Sequence, residues 1–134
     1  MRVPSKSIAV AFLCTALSYV AIAPAIAQEM TIRQYLTLSQ GTDPYAGSPA
    51  VNSYLEGVLD SFGYMQAALE KKNQPRLYCE PANAALGPLN LRQLLDDEIR
   101  RGRAGMSDQQ YAAFVDFNLS ALSLLVLQRT YPCG

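Results

Sequence analysis

Residues 51–69 read VNSYLEGVLDSFGYMQAAL, and their apolar positions recur in steps of three and four. This spacing predicts one buried face along about six turns of an α-helix. Ser48 and Pro49 stand just before the stretch and supply an N-cap and a first-turn proline, and Gln74-Pro75 ends the predicted helix. The predicted buried face comprises Val51, Tyr54, Leu55, Val58, Leu59, Phe62, Met65 and Leu69.

Two further helix starts carry a capping box. A hydroxyl residue, Thr31 or Ser107, is followed three positions later by Gln34 or Gln110. In such a pair, each side chain accepts a hydrogen bond from the backbone N–H of the other residue. The two predicted helices cover about Ile32–Gln40 and Asp108–Thr130.

The remaining predicted helix is capped by Asn90, buries Leu91, Leu94, Leu95 and Ile99, and ends near Gly102. Residues 28–134 hold 16 leucines and 11 alanines against four valines and two isoleucines. Leucine and alanine favour helices, whereas β-branched residues favour strands. The sequence therefore predicts an all-α fold, a compact bundle of about four helices.

The first 27 residues have the order of a secretory signal peptide. Arg2 and Lys6 precede the apolar stretch Ile8–Val20, and Ala25-Ile26-Ala27 places small residues before Gln28. This order predicts cleavage near Ala27 and a periplasmic domain over residues 28–134. An uncleaved membrane anchor is the alternative, because about 20 apolar residues can span a bilayer.

Cleavage would leave nine basic and eleven acidic residues, a net charge of −2. Nucleic-acid and anionic-membrane partners both call for a clear basic excess, so neither is expected. Cys79 and Cys133 are the cysteines that remain. An even pair in an oxidising compartment is most simply a disulfide, and we expect one to close the bundle.

Little in the sequence suggests catalysis. The chain has no histidine, which removes the commonest general base and transition-metal ligand, and it has no glycine-rich phosphate loop. The acidic run Asp96–Glu98 is interpreted as a solvated helix face, with an ion pair available between Asp97 and Arg101. Glu56 and Asp60, four apart on one helix, are interpreted in the same way. We expect no enzyme activity, no metal and no cofactor.

Candidate partner-binding residues lie in predicted loops. Tyr45 lies in the loop before the long helix, and Arg100, Arg101 and Arg103 lie at the end of the third helix and in the loop predicted over residues 101–105. Loops on a rigid scaffold often carry recognition, and tyrosine and arginine are enriched at interfaces. The arginines would be equally expected in a loop that is only exposed to solvent and binds no partner.

Two helical features admit more than one interpretation. Gly57 interrupts a strong helix at a cost of about 1 kcal/mol relative to alanine. We interpret it as a helix-crossing point, with a partner contact as the alternative. The last helix is very apolar over residues 119–127, which predicts a central helix or one that packs on a second copy of the chain.

Four motifs occur in a recognisable order: Tyr54-Leu55-Glu56-Gly57-Val58-Leu59-Asp60, Tyr78-Cys79-Glu80-Pro81, Leu91-Arg92-Gln93-Leu94 and Tyr131-Pro132-Cys133. Their order and spacing resemble those of type VI secretion immunity proteins of the Rap/Tai kind. The resemblance covers roughly Val51 to Cys133.

The resemblance implies a periplasmic helical domain, often a homodimer, that binds and blocks a peptidoglycan-cutting amidase delivered by a neighbouring cell. Cys79 and Cys133 match the bridge of the family. The other matching motif residues are Tyr54, Gly57, Asp60, Pro81 and Pro132. The sequence departs from the family in two places, because residues 41–50 lack a further cysteine and Tyr131 stands where phenylalanine is usual.

We therefore expect a protein-binding domain whose partner is a secreted cell-wall hydrolase or another periplasmic protein. The alternative is a periplasmic stress or acid chaperone-like module, since small helical disulfide proteins of acid-stress systems look broadly similar. Without histidine, an acid switch would depend on carboxylates, which titrate near pH 4 when unperturbed.

Overall fold

The computed structural model describes residues 29–40, 48–80, 82 and 86–134. The signal-peptide prediction and the predictions for Tyr45 and Pro81 lie outside these residues. The described part contains five helices, so the all-α prediction is confirmed while the expected count of four is one too low. They are α1 (Ile32–Ser39), α2 (Pro49–Lys71), α3 (Pro88–Gly105), α4 (Asp108–Phe114) and α5 (Leu119–Thr130).

The core lies between α1, α2, α3 and α5. The N-terminal part of the α2 face packs as predicted, since Val51, Leu55, Val58 and Phe62 are buried, but Met65 is 48% exposed. At about 1.5 Å per residue, this 23-residue helix is about 34 Å long, and its last turns pass beyond the core. Core residues from the other helices include Ile32, Tyr35, Leu91, Leu95, Ile99, Leu119, Leu122, Val126 and Leu127.

Both predicted capping boxes are present. The Gln34 N–H donates to Thr31 Oγ1 at 3.2 Å, and the Thr31 N–H donates to Gln34 Oε1 at 2.9 Å. Ser107 and Gln110 make the same pair of bonds at the start of α4. Ser48 occupies the N-cap position of α2, but its side chain makes no capping bond.

The single helix predicted over residues 108–130 is wrong, because the chain breaks at residues 115–118 into α4 and α5. The first N–H groups of α1, at Ile32 and Arg33, donate to the carbonyl oxygens of Phe117 and Val115 at 3.1 and 2.7 Å. Asn118 caps α5 by accepting from the Ser120 N–H at 2.9 Å. The N–H groups that the start of α1 would leave unpaired therefore bond to carbonyl groups of the α4–α5 break, and we call this contact the joint.

The bounds of α3 also differ from the prediction. Gly87, rather than Asn90, is the N-cap, and Asn90 Oδ1 accepts from the Gly87 N–H at 3.2 Å. The helix continues past Gly102 to Gly105, so residues 101–105 form its last turn and not a loop. A Cβ atom at Gly102 would lie 3.4 Å from Cε1 of Phe114. The helix thus continues through Gly102, where α3 lies against Phe114 of α4.

The C-terminal end of α2 has a Schellman arrangement, which ends the helix before Gln74-Pro75. Asn73 has a positive φ of 54°, a conformation that asparagine tolerates better than most residues. The N–H groups of Asn73 and Gln74 donate to the carbonyl oxygens of Glu70 and Leu69 at 3.0 and 2.9 Å.

A disulfide joins Cys79 to Cys133, as the sequence predicts. The Cys79 N–H also donates to the Tyr131 carbonyl oxygen at 2.8 Å. Tyr78 is buried, with its ring edge-on to Phe62 at a centroid distance of 6.4 Å. The segment after α2 is therefore fastened both to the core and to the end of α5. None of the described helices is long and apolar enough to cross a membrane.

Candidate protein-binding surface

The arginines predicted for partner binding lie on the last turns of α3, and each is paired with a carboxylate. Arg100 contacts Asp97 at 3.1 Å, and Arg101 contacts Glu98 at 2.9 Å. The ion pair expected between Asp97 and Arg101 is therefore wrong, because both arginines pair with the residue three positions earlier. The side chains stay largely exposed, at 76% for Arg100 and 65% for Arg101.

The three arginines do not all line the same pocket. Arg100 and Arg103 border a pocket of about 580 Å³ between α1, α3 and α4, whereas Arg101 does not line it. Arg101 instead shares Glu98 with Arg129 of α5. The structure therefore places Arg100 beside each of the other two, with Arg103 in this pocket and with Arg101 in a groove of about 350 Å³ that Asp97 also lines.

Arg103 is held at the mouth of this pocket by α4. Its Nη1 atom lies 2.9 Å from Asp108 Oδ1, and its guanidinium lies over the Tyr111 ring, 4.7 Å from the centroid. Tyr111 packs in turn against Phe114, with ring centroids 6.1 Å apart. A stacked guanidinium keeps its charge and loses rotational freedom, which favours a fixed direction for its remaining donors.

Asp96 also lines this pocket, and two side chains of the protein contact its carboxylate. The fully buried Tyr35 donates its hydroxyl to Asp96 Oδ1 at 2.5 Å, and Nε of Arg92 lies 3.9 Å from Oδ2. Burial, followed by the hydrogen bond to Asp96, raises the pKa of Tyr35 well above its ordinary value. The tyrosine therefore stays a hydrogen-bond donor at physiological pH.

A second groove, of about 480 Å³, lies between α1 and α2 and was not foreseen from the sequence. Met30, Leu38 and Tyr54 provide its apolar lining, and Leu38 is 42% exposed. Arg33 lies at its edge, with Nε 2.8 Å from Asp116 Oδ1. The sequence shows only that residue 38 is a leucine, and the packing of the helices determines that its side chain is exposed.

The motif residues of α2 lie on both sides of that helix. Tyr54 is half-buried, whereas Gly57 and Asp60 are exposed. Among the described residues, a Cβ atom at Gly57 would have no neighbour within 4 Å, so the interpretation of Gly57 as a point where another described helix crosses is wrong. Gly57 instead borders an open groove of about 370 Å³ beside Ser53 and Ser61. Pro132 is exposed next to the disulfide.

The last helix is not surrounded on all sides. In α5, Leu122, Val126 and Leu127 are buried, but Leu125 is 56% exposed. The interpretation of this helix as central is therefore wrong for its outer side. Packing of that side on a second copy of the chain stays a prediction.

Within the described residues, no three or more histidine, cysteine, aspartate or glutamate side chains are grouped so as to hold a metal ion. In comparisons with known proteins, the chain matches no family model, no curated protein and no solved structure.

Proposed function

We propose that the chain is a periplasmic immunity-type protein that binds and blocks a peptidoglycan-cutting amidase delivered by type VI secretion. The observation that carries the proposal is the meeting of two motifs on which the family resemblance rests. Tyr78-Cys79 and Tyr131-Pro132-Cys133 lie 54 residues apart in sequence, and the disulfide and one backbone hydrogen bond join them. This agrees with their serving as one structural unit.

The surface around α3 and α4 supports a role in protein binding. Its arginines are exposed, and they lie on α3, whose inner face packs in the core. Rigid placement reduces the side-chain entropy that an interface loses when it forms. Such a surface suits an inhibitor, which acts by occupying the site of another protein.

The test uses the mature chain, residues 28–134, and any cell-wall hydrolase that an adjacent reading frame encodes. Calorimetry should give a saturable interaction with a dissociation constant in the nanomolar range, as for other tight inhibitor complexes. Cleavage of purified peptidoglycan by the hydrolase should stop at a stoichiometric amount of the mature chain. Absence of both binding and inhibition would remove the proposal.

A periplasmic acid chaperone is the second candidate, and one observation favours it. Carboxylate–arginine pairs join separate elements, at Arg33–Asp116 and at Arg129–Glu98, so protonation would break contacts between helices. This candidate predicts that the protein suppresses aggregation of an unfolded client near pH 3 and not at pH 7. The same client aggregates equally with and without the protein if the immunity proposal alone is correct.

A further inference from the structure

We propose that the pocket between α1, α3 and α4 receives a carboxylate side chain from an acidic segment of the partner protein. The inference rests on the proposed function, since it names the surface and the chemistry by which the partner is recognised. Its two cationic residues are Arg100 and Arg103.

Charge complementarity selects an acidic occupant. The pocket lining has two guanidinium groups and a single carboxylate, Asp96. Asp96 already accepts the Tyr35 hydroxyl bond at 2.5 Å and lies 3.9 Å from Nε of the buried Arg92. The Tyr35 hydroxyl and the buried guanidinium of Arg92 therefore face Asp96 from within the protein, and Arg100 and Arg103 outnumber this carboxylate in the pocket lining.

The present partners of the two arginines are exchangeable. Asp97, which pairs with Arg100, has a side chain 59% exposed, and Asp108, which pairs with Arg103, has one 93% exposed. Exposed ion pairs contribute little because water screens them. A guanidinium has five N–H donors, so it can bind a second carboxylate while it keeps the first.

The floor of the pocket suits the methylene stem of a glutamate or a neighbouring apolar side chain. Leu36 is half-buried, Ile99 is 5% exposed, and the Tyr111 ring forms one wall. An apolar floor below charged donors lowers the local dielectric, which strengthens each charge-assisted hydrogen bond. A segment with acidic residues beside a leucine or methionine therefore fits this pocket better than a basic or uncharged one.

The first measurement is the dissociation constant for the adjacent-frame hydrolase. The double variant Arg100→Glu with Arg103→Glu should weaken binding on the order of 100-fold, because it places like charges against the partner's carboxylate. The matched control, Lys72→Glu with Arg76→Glu, changes the net charge equally at exposed basic residues outside the pocket. It should change the dissociation constant by no more than about threefold. Equal weakening by both variants would overturn the proposal.

Folding of each variant is checked by circular dichroism, and Arg100→Gln with Arg103→Gln gives a milder version that should still weaken binding at least tenfold. Unchanged binding by a folded pocket variant overturns the proposal and leaves the proposed function standing.

The second measurement needs no hydrolase. The Arg Nε–H signals of the mature chain are followed by NMR during titration with the peptide acetyl-Glu-Leu-Glu-amide, and with acetyl-Gln-Leu-Gln-amide as the neutral control. We expect saturable shifts at Arg100 and Arg103 with the acidic peptide alone, and no comparable shift at Arg101. If the hydrolase does not bind the wild-type chain, the proposed function fails and this titration still decides whether the pocket takes carboxylates. Shifts of equal size at all three arginines, or none at any, would overturn it.

Discussion

At the scale of single residues, Tyr35 combines burial with an essential polar contact. It is fully buried, and its hydroxyl donates to Asp96 at 2.5 Å. Tyr35→Phe keeps the ring and removes the donor, so we expect the free energy of unfolding to fall by about 1–2 kcal/mol. Urea denaturation at pH 7 measures this change. Tyr64→Phe, at a ring 80% exposed, is the control and should have no measurable effect.

Gly57 gives a prediction of the opposite sign. An added Cβ atom there would meet none of the described residues within 4 Å, so alanine fits among them without strain. Since glycine in a helix interior costs about 1 kcal/mol relative to alanine, Gly57→Ala should stabilise the mature chain by roughly that amount. Thermal unfolding of Gly57→Ala and Gly102→Ala tests it, because alanine at Gly102 would lie 3.4 Å from Phe114 and should gain less. A destabilised Gly57→Ala would mean that another backbone lies against this surface.

At the scale of elements, the ion pair between Arg33 and Asp116 links α1 to the break between α4 and α5. The hydrogen bond from Arg33 lowers the pKa of Asp116 below its usual value. A carboxylate with a lowered pKa in the folded state stabilises the fold above the unfolded pKa, about 3.9 for aspartate. That contribution is lost as the pH falls through the lower, folded-state pKa.

NMR titration of the Asp116 carboxyl carbon should therefore give a midpoint below that of an unperturbed aspartate. Arg33→Gln should return the midpoint to the ordinary value. In urea denaturation between pH 6 and pH 3, the wild-type chain should lose more stability than Asp116→Asn. A midpoint that Arg33→Gln leaves unchanged would show that the ion pair does not form in solution.

The starts of α1 and α4 were predictable because their determinants are local. A capping box needs two residues three positions apart, and both boxes form where the sequence places them, at Thr31 and Ser107. The break at residues 115–118 was missed because its hydrogen bonds come from α1, about 80 residues earlier. Asn118 was a local N-cap signal, but the apolar pattern around it predicted one continuous helix. The hydrogen bonds from α1 accompany the break that lets Asn118 cap α5.

The candidate site was predicted less well for the same reason. Residue type singled out Arg100, Arg101 and Arg103, but neighbours on other helices determine where each one lies. Tyr111 of α4 orients Arg103, whereas Arg129 of α5 shares Glu98 with Arg101. Gly102 looked like a helix end in the sequence, yet α3 continues through it and packs beside Phe114.

At the scale of the whole molecule, two distant links constrain the helices. The joint between the start of α1 and the α4–α5 break holds the N-terminal side of the described fold, and the disulfide holds the segment after α2 to the chain end. The pocket that we propose for the partner lies on α1, α3 and α4. The geometry of the pocket therefore depends more on the contact between α1 and the α4–α5 break than on the disulfide. The effect of the disulfide on stability can thus be measured separately from the effect of the pocket on binding.

Cys79→Ser with Cys133→Ser makes that separation measurable. Removing a cross-link between residues 54 apart restores entropy to the unfolded chain, worth about 4 kcal/mol in the chain-entropy model. We expect urea denaturation to show a loss of this size, while the variant that remains folded at 10 °C binds the hydrolase within about threefold of wild type because no pocket residue has changed. Binding that falls with the disulfide in folded protein would show that the interface includes the segment around Cys79 and Tyr131. A stability loss below about 1 kcal/mol would show that the buried Tyr78 and the Cys79–Tyr131 backbone bond already hold that segment in place.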